Sequence, residues 1–356
     1  MPNTRSPIRL PGGPFGLCRG GVCVLVVLLS LVGGSEAQHR GVGAEAQREV
    51  RGQGEPTGRE RTLPPAAPAS TSPDSLTTRL HEPRYRPGRL WWGVGGAVAL
   101  DAAGMVALHR LWYANTAQTR WHWYDQPGGR RWYDDWFTYK QQDKLGHVYG
   151  AWALTRLGFA YGRWSGLSRR NAALLGMGAS TVVQSQIEFF DGFSAAYGAS
   201  RTDLLANVAG SALAGAELLF PEHTDWFALK YAYRPSPYYD PSATLGNAIQ
   251  DYQGITFWLS LRPHRLLPRR ARAYWPEGLA VAVGHSGTGL ERAVSGFDGS
   301  PRHRRQLYVG PDLDLGALAD DSPPWLRPVM RALSFVRLPL PTLQVAPDVR
   351  WHWLHF

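Results

Sequence analysis

Eight polar residues that could do chemistry lie close together in the middle of the chain: Asp143, Lys144, His147, Glu188, Asp191, Arg201, Asp203 and Asn207. Spacings of three or four residues join six of them in pairs, Asp143 with His147, Glu188 with Asp191, and Asp203 with Asn207. Residues at those spacings share one face of a helix. Each pair therefore places a carboxylate beside a second polar group on a common helical face.

These residue types allow three kinds of chemistry. Carboxylates with an imidazole and an amide could bind a divalent cation. His147 could act as a general acid–base oriented by a carboxylate, while Lys144 holds an anionic group or neutralises a carboxylate. Alternatively, Asp143 and Asp203 cap their helices, and the whole set is a structural network of hydrogen bonds and ion pairs.

No nucleophile–base signature accompanies the set, so we favour a structural or binding role over an enzymatic one, and no catalytic residue is assigned. No cofactor is predicted, with a divalent cation as the alternative.

Four helices are predicted to position these residues, over residues 90–112, 144–161, 171–190 and 203–220. In the third, Thr181, Gln184 and Glu188 form one polar stripe on a mostly apolar helix. The three pairs lie at the start of the second helix, the end of the third and the start of the fourth. Because these ends meet at one side of an up-down-up-down bundle, we expect the pairs to converge there. The prediction is a four-helix bundle with inward polar stripes.

An α+β fold is predicted, because the pattern changes after the bundle. Strands are expected at 251–261, 278–284, 306–315 and 343–356, with the clearest alternation at residues 312–315 and at the C-terminus. They predict a small, mainly antiparallel, β-rich region. The expected organisation is a signal peptide over 1–37, a disordered linker over 38–89, the helical bundle over 90–222 and the β-rich extension over 223–356.

The first 37 residues have the three parts of a secretory signal. Three arginines precede an apolar run over residues 22–32, and small residues ending at Ala37 follow it. Export to the periplasm is therefore predicted. Both cysteines, Cys18 and Cys23, lie in this segment, so we expect no thiol chemistry in the exported chain.

The charge distribution favours an anionic neighbour. The formal net charge of +10 suits a membrane surface, an envelope lipid or an envelope polymer. No nucleic-acid-binding motif accompanies the charge, so nucleic acid is not expected as a partner. Arginines precede the first helix and fill the loop after the second, which would place both segments in the cytoplasm if the helices spanned the inner membrane. Because that conflicts with export, we expect a periplasmic, membrane-associated bundle, with an integral inner-membrane bundle as the alternative.

Three motifs resemble the YfiM-like family of predicted periplasmic lipoproteins, which is grouped by a domain of unknown function. They are DKLGH at 143–147, QIEFFDGF at 186–193 and SRTDLLAN at 200–207, and the stretch from residue 251 to 260 resembles a continuation found in longer members. The resemblance covers about residues 90–356. It implies an envelope location and no established activity. The sequence departs from the family because no lipid-anchoring cysteine follows the apolar run.

The same polar skeleton is similar to that of VanZ-like membrane proteins, which are linked to glycopeptide tolerance. They also have Asp-Lys-x-x-His, a Glu near the end of one helix, and Asp-x-x-x-Asn opening the next. This resemblance implies membrane embedding and a role with envelope lipid or cell wall. It supplies no mechanism. The residues themselves leave open, as an alternative function, an envelope lipid or glycan hydrolase or transferase that uses the Asp/His/Glu/Asn set.

Overall fold

The computed structural model describes residues 85–111, 117–124, 133–195, 198–237, 251–290 and 303–355. The predicted signal peptide and nearly all of the predicted linker lie outside these residues. Four long helices are present: α1 (Pro87–Leu111), α2 (Gln142–Trp164), α3 (Arg169–Asp191) and α4 (Arg201–Leu219). Their bounds agree with the predicted helices to within three residues. A short 3₁₀ helix, Asp134–Gln141, leads into α2.

Helices α2, α3 and α4 pack tightly on one another because small residues lie where they cross. A Cβ atom placed on Gly158 of α2 would lie 2.6 Å from the Cα atom of Gly176 in α3. One placed on Gly210 of α4 would lie 2.1 Å from the carbonyl oxygen of Val148. The backbones therefore approach more closely than any side chain permits, and the core between them contains Phe159, Ala172, Ala173 and Leu218.

Helix α1 stands apart from this packed core. None of the residues from Pro87 to Arg110 is buried, and Trp92 is 84% exposed. Its start contacts the end of α2, where the amide of Arg86 donates to the carbonyl of Ser165 (3.0 Å) and the hydroxyl of Tyr161 donates to the carbonyl of Leu90 (2.7 Å). The described residues thus form three packed helices and an outlying α1, instead of the predicted bundle of four.

In its described residues, the β-rich region is one antiparallel meander of six strands, paired in sequence order. The strands are β1 (Phe227–Tyr233), β2 (Ile255–Leu261), β3 (Leu279–Thr288), β4 (Arg304–Leu313), β5 (Leu340–Ala346) and β6 (Arg350–His355). Short helices complete it: α5 (Pro221–Thr224), α6 (Pro263–Leu266), α7 (Arg269–Arg272), α8 (Leu315–Asp320) and α9 (Arg327–Leu333). The mixed helical and antiparallel content confirms the α+β class.

Two details of the sheet differ from the prediction. Strand β1 was not expected, and the single strand expected over 343–356 is the pair β5 and β6. Pro347 lies between them, and a proline has no amide hydrogen to continue a strand ladder. The chain therefore turns at that point and pairs with itself, with Leu343 opposite Trp351.

One face of the sheet has its own core, and the other faces the bundle. Trp258 packs with Ala232, Ala282 and Tyr308, and the Arg337 guanidinium lies 3.8 Å from the centre of the Trp258 ring. On the bundle side, Tyr149 of α2 stacks on Tyr231 with 5.6 Å between ring centres. An apolar cavity of about 230 Å³ separates α2 from the middle of this face. The sheet is therefore docked on α2, the helix that carries three of the predicted site residues.

Candidate functional site

Six of the eight predicted residues meet where the start of α2, the end of α3 and the start of α4 come together: Asp143, Lys144, His147, Glu188, Asp203 and Asn207. Asp135, from the 3₁₀ helix before α2, joins them. We call these seven residues the polar cluster. It lies at one end of the helical bundle, as the helix-end positions of the three pairs predict.

Lys144 is at the charged centre of the polar cluster, and its side chain is 3% exposed. Its Nζ lies 2.5 Å from Asp135 Oδ2, 2.6 Å from Asp203 Oδ1 and 2.9 Å from Asp143 Oδ2. Burial by itself would lower the pKa of Lys144, but the three carboxylates raise it well above its usual value. Lys144 is therefore a permanent ammonium whose role is to neutralise carboxylates, and it is not placed to hold an external anionic group.

His147 is held by an amide on one side and faces carboxylates on the other. Its Nδ1 lies 3.0 Å from Asn207 Oδ1, which also accepts a hydrogen bond from Gln184 Nε2 at 3.1 Å. Because Asn207 presents an acceptor, Nδ1 is the protonated nitrogen that donates to it. The second nitrogen, Nε2, lies 3.7–3.8 Å from oxygens of Asp143, Glu188 and Asp203. Those separations are too long for hydrogen bonds.

The surroundings shift the pKa values of the acidic residues in the polar cluster in opposite directions. Burial, reinforced by the charge of Asp203, raises the pKa of Glu188 to about 9. Burial and the charge of Asp143 raise the pKa of Asp203 to about 7. Burial would also raise the pKa of Asp143, but the attraction of Lys144 and His147 outweighs it and lowers that pKa. Burial lowers the pKa of His147, yet the facing carboxylates raise it to about 9.

The polar cluster thus contains more buried negative charge than its own cations balance. Three carboxylates, of Asp135, Asp143 and Asp203, contact the single lysine, Lys144. A fourth, of Glu188, faces His147. Buried charges are stable only when they are paired and hydrogen-bonded, or when they take up a proton. The raised pKa values of Glu188, Asp203 and His147 have this common cause.

Sequence reasoning missed two members of this arrangement. Asp135 lies nine residues before Lys144, beyond helical spacing, and is brought back by a backbone with positive φ at Tyr139, Lys140 and Gln141 (48°, 56° and 67°). That conformation is uncommon for residues other than glycine, and no local pattern predicts it. Tyr252, from the turn before β2, donates its hydroxyl to Asp143 Oδ1 at 2.7 Å. The available sequence signal was the 251–260 stretch noted in the YfiM-like resemblance.

The two remaining predicted residues lie outside the polar cluster. Asp191 is one turn beyond Glu188, and its charge contributes to the raised pKa of Glu188. The Arg201 guanidinium lies 4.4 Å from the centre of the Trp123 ring, so it stacks on that ring. The interpretation of Asp203 as a helix cap is wrong, because the cap of α4 is Ser200, whose Oγ accepts from the amide of Asp203 at 3.0 Å. With the capping role taken by Ser200, the Asp203 carboxylate is left to face Lys144.

Comparison with known families supports the sequence resemblance. The model of a family described as predicted periplasmic lipoprotein (DUF2279) matches residues 130–219. The matched stretch contains α2, α3 and α4, all eight predicted site residues and Asp135, so it covers the whole polar cluster. This confirms the resemblance drawn from the three motifs and supports an exported, periplasmic location. No curated protein and no solved structure matches the chain.

Proposed function

We propose that this chain, whose bundle matches a family of predicted periplasmic lipoproteins, is a membrane-associated envelope protein with a structural or binding role. The observation that carries the proposal is α1. Its 25 residues include an apolar stretch with mean hydropathy 1.3, none of which is buried. A helix of this length rises about 37 Å, more than the bilayer's hydrocarbon core of about 30 Å.

Helix α1 exposes apolar side chains on several sides and carries one acidic residue, Asp101, near its middle. Trp92, Val98 and Leu100 lie on different sides of it and are 84%, 63% and 46% exposed. A helix of a soluble protein buries its apolar side, so exposed apolar side chains on several sides favour lipid or other protein around the helix. Trp91 and Trp92 stand near its start and Trp112 follows its end in the sequence. Tryptophan is favoured at the two membrane–water interfaces, which are separated by about this distance.

The attachment of α1 brings the bundle close to the same membrane. Its start is hydrogen-bonded to Ser165, just after α2. Six residues after its end, the carbonyl of Ala117 accepts from the amide of Ala195, just after α3. Since the intervening chain reaches at most about 20 Å, α1 runs along the length of the bundle. Lipid that surrounds α1 would therefore also meet the adjacent helices.

A second candidate, an integral bundle of the VanZ-like kind, is favoured by the outer faces of α3 and α4. Leu174 and Val182 of α3 and Leu205 and Val208 of α4 are each more than half exposed. Contiguous exposed apolar side chains mark surfaces that contact lipid or protein. Among the described helices, however, α1 is the one that is long and apolar enough to cross a membrane. We therefore place a membrane anchor formed by α1 alone first.

The alternative of an envelope lipid or glycan hydrolase or transferase is less favoured. Its anion-holding group would be Lys144, which is committed to three carboxylates. Its acid–base group would be His147, whose side chain is 15% exposed. Both features suit a closed network better than a substrate pocket.

Membrane fractionation with carbonate extraction tests the proposal. The full chain is compared with Val98→Glu/Val106→Glu in α1, with Leu174→Glu/Val182→Glu in α3, and with Tyr274→Glu, which changes a side chain that is 89% exposed outside the helical bundle. A charge at the centre of a membrane helix costs about 3 kcal/mol. We therefore expect the α1 variant to move to the soluble fraction and Tyr274→Glu to stay with the membranes.

Each result discriminates between the candidates. A wild-type chain that is fully soluble at low salt would refute membrane association. Equal displacement by the α1 and α3 variants would favour the integral bundle, and release of the wild-type chain by carbonate would contradict an α1 that crosses the bilayer. Turnover of isolated envelope lipid or glycan that is lost in His147→Gln would revive the enzymatic alternative.

A further inference from the structure

We infer that the polar cluster binds one divalent metal cation of the zinc type, held by His147 Nε2 and carboxylate oxygens of Asp143, Glu188 and Asp203. The inference does not depend on membrane association, because such a site can exist in a bundle that lies in lipid and in one that lies outside it. It rests on the geometry around one imidazole nitrogen.

Three carboxylate oxygens surround His147 Nε2 at nearly equal distances. Glu188 Oε1 and Asp203 Oδ1 lie 3.7 Å from it, and Asp143 Oδ1 lies 3.8 Å from it. The candidate ligand atoms of His147, Asp143 and Asp203 all lie within 4.8 Å of one another. In a tetrahedral zinc site with bonds of about 2.0–2.2 Å, neighbouring ligand atoms are about 3.3–3.6 Å apart. The three separations from Nε2 are too long for hydrogen bonds and only slightly wider than a shared cation requires. The group within 4.8 Å does not include Glu188, so the carboxylates must move closer together to share an ion.

An oxygen without a hydrogen-bond donor points into this space. Glu188 has a side chain that is 3% exposed, and its Oε2 accepts from the amide of Ser200 at 2.9 Å. Among the described residues no donor reaches its other oxygen, Oε1, which faces His147 Nε2. A buried acceptor is almost always satisfied by protein, water or an ion. An ion at this point satisfies Glu188 and His147 together.

The surrounding contacts prepare His147 as a ligand. Because its Nδ1–H donates to Asn207 Oδ1, a neutral imidazole presents the lone pair of Nε2 to the three carboxylates. A lone pair facing anionic oxygens is repulsive unless a cation lies between them. Histidine ligands in metal sites commonly donate their second N–H to an oxygen in this way, which fixes the ring orientation. The Tyr252 hydroxyl on Asp143 Oδ1 fixes one carboxylate similarly.

Charge favours the same occupant. With all four carboxylates ionised and His147 neutral, Lys144 leaves three negative charges in the polar cluster, and a divalent cation reduces them to one. The mixture of imidazole and carboxylate ligands is typical of zinc and its neighbours in the first transition series, whereas calcium and magnesium prefer oxygen alone. Protons on His147 and Glu188 are the competing way to remove the charge, and the experiment must separate the two.

The test uses the full chain, purified in mild detergent without a polyhistidine tag and stripped with EDTA. Zinc content after dialysis against micromolar Zn²⁺ is measured by plasma mass spectrometry. Visible absorption during a Co²⁺ titration reports tetrahedral coordination, and thermal unfolding is followed with and without Zn²⁺. We expect one equivalent of zinc per chain, a cobalt spectrum of tetrahedral type and a saturable rise in Tm.

Glu188→Gln and Glu217→Gln form a matched pair. Glu217 is a buried carboxylate of α4 that accepts from Arg156 (2.8 Å) and Trp152 (2.9 Å), outside the polar cluster. Glu188→Gln should weaken Zn²⁺ binding at least about tenfold, whereas Glu217→Gln should retain it. If protons alone neutralise the site, Glu188→Gln will instead match wild type in every metal titration.

Two results would overturn the inference. One is a wild-type chain with substoichiometric metal and an unchanged Tm in Zn²⁺, Co²⁺ and Mn²⁺, which decides the question even if Glu188→Gln fails to fold. The other is equal loss of metal in both glutamine variants, because binding would then lie elsewhere.

Discussion

Replacing Lys144 by methionine removes the ammonium at the centre of the polar cluster and keeps a side chain of similar length. The three carboxylates that it contacts remain, with side-chain exposures of 11% for Asp135, 17% for Asp143 and 8% for Asp203. None of them gains a new cation in exchange. The variant therefore measures what buried carboxylates cost when their shared partner is removed.

The structure allows the size of the effect to be worked out. At 2.5–2.9 Å each contact supplies about 6 kcal/mol of attraction with an effective dielectric constant near 20. Most of this attraction is offset by desolvation of the four groups and by repulsion among the carboxylates. Breaking a buried ion pair costs about 3–5 kcal/mol overall, against a total stability of about 5–15 kcal/mol for a domain. We expect Lys144→Met to lower the free energy of unfolding by about 3–5 kcal/mol.

Urea unfolding of the full chain, followed by circular dichroism in EDTA, gives the free energy of unfolding without a contribution from bound metal. Arg201→Met is the control. It removes a cation that lies two residues before Asp203 in the sequence but stacks on Trp123, outside the polar cluster. It should cost about 0.5–1 kcal/mol. Asp135→Asn added to Lys144→Met should restore part of the loss by removing one unbalanced charge. Equal losses below about 1 kcal/mol for Lys144→Met and Arg201→Met would refute the reasoning.

Two further predictions concern packing and pH. Gly176→Ala should lower the free energy of unfolding by about 1–3 kcal/mol, because its Cβ would lie 2.2 Å from the carbonyl oxygen of Thr155. Gly178→Ala, with open space around it, should raise the free energy of unfolding by about 0.5–1 kcal/mol. Chemical denaturation of the two variants checks the opposite signs, and equal effects would contradict close packing at Gly176. Burial, with repulsion from neighbouring cations, lowers the pKa of His355 to about 4 in the folded chain. Between about pH 6.5 and pH 4 the unfolded chain therefore binds a proton that the folded chain does not. His355 should consequently make stability fall as the pH drops through that range. Comparing Tm at pH 7 and pH 5 for wild type and His355→Asn checks this, since the variant should lose less on acidification, and an identical loss would count against it.

The local sequence pattern was sufficient to predict the helices that carry the polar cluster. Apolar periodicity and flanking Gly, Pro and Ser residues placed α2, α3 and α4 within three residues of their observed bounds. The pairs of polar residues at spacings of three and four lie at helix ends that alternating topology brings together. Their convergence could therefore be predicted without coordinates, because helical periodicity fixes the face and chain direction fixes the end.

Partners from outside regular helices could not be predicted in this way. Asp135 depends on three consecutive residues with positive φ, and Tyr252 depends on a contact across 109 positions of sequence. The position of α1 is another example, since its apolar composition suits a bundle member and a lipid-exposed helix equally. Strand β1 was missed because its alternation is partial. The division of the last predicted strand into β5 and β6 was missed because Pro347 was not taken as the end of a strand.

The sequence alone determined the α+β class, the bounds of the four long helices and the residues that share each polar helical face, because these depend on interactions within a few turns of one chain segment. Tertiary structure decided which of those residues touch. It places Lys144 against three carboxylates and Arg201 against Trp123. It also places Glu188 Oε1 opposite His147 Nε2 in a buried space. Those outcomes depend on distances of a few ångströms between separate elements. Such distances are set by close approaches such as Gly158 on Gly176, which no spacing along the sequence encodes.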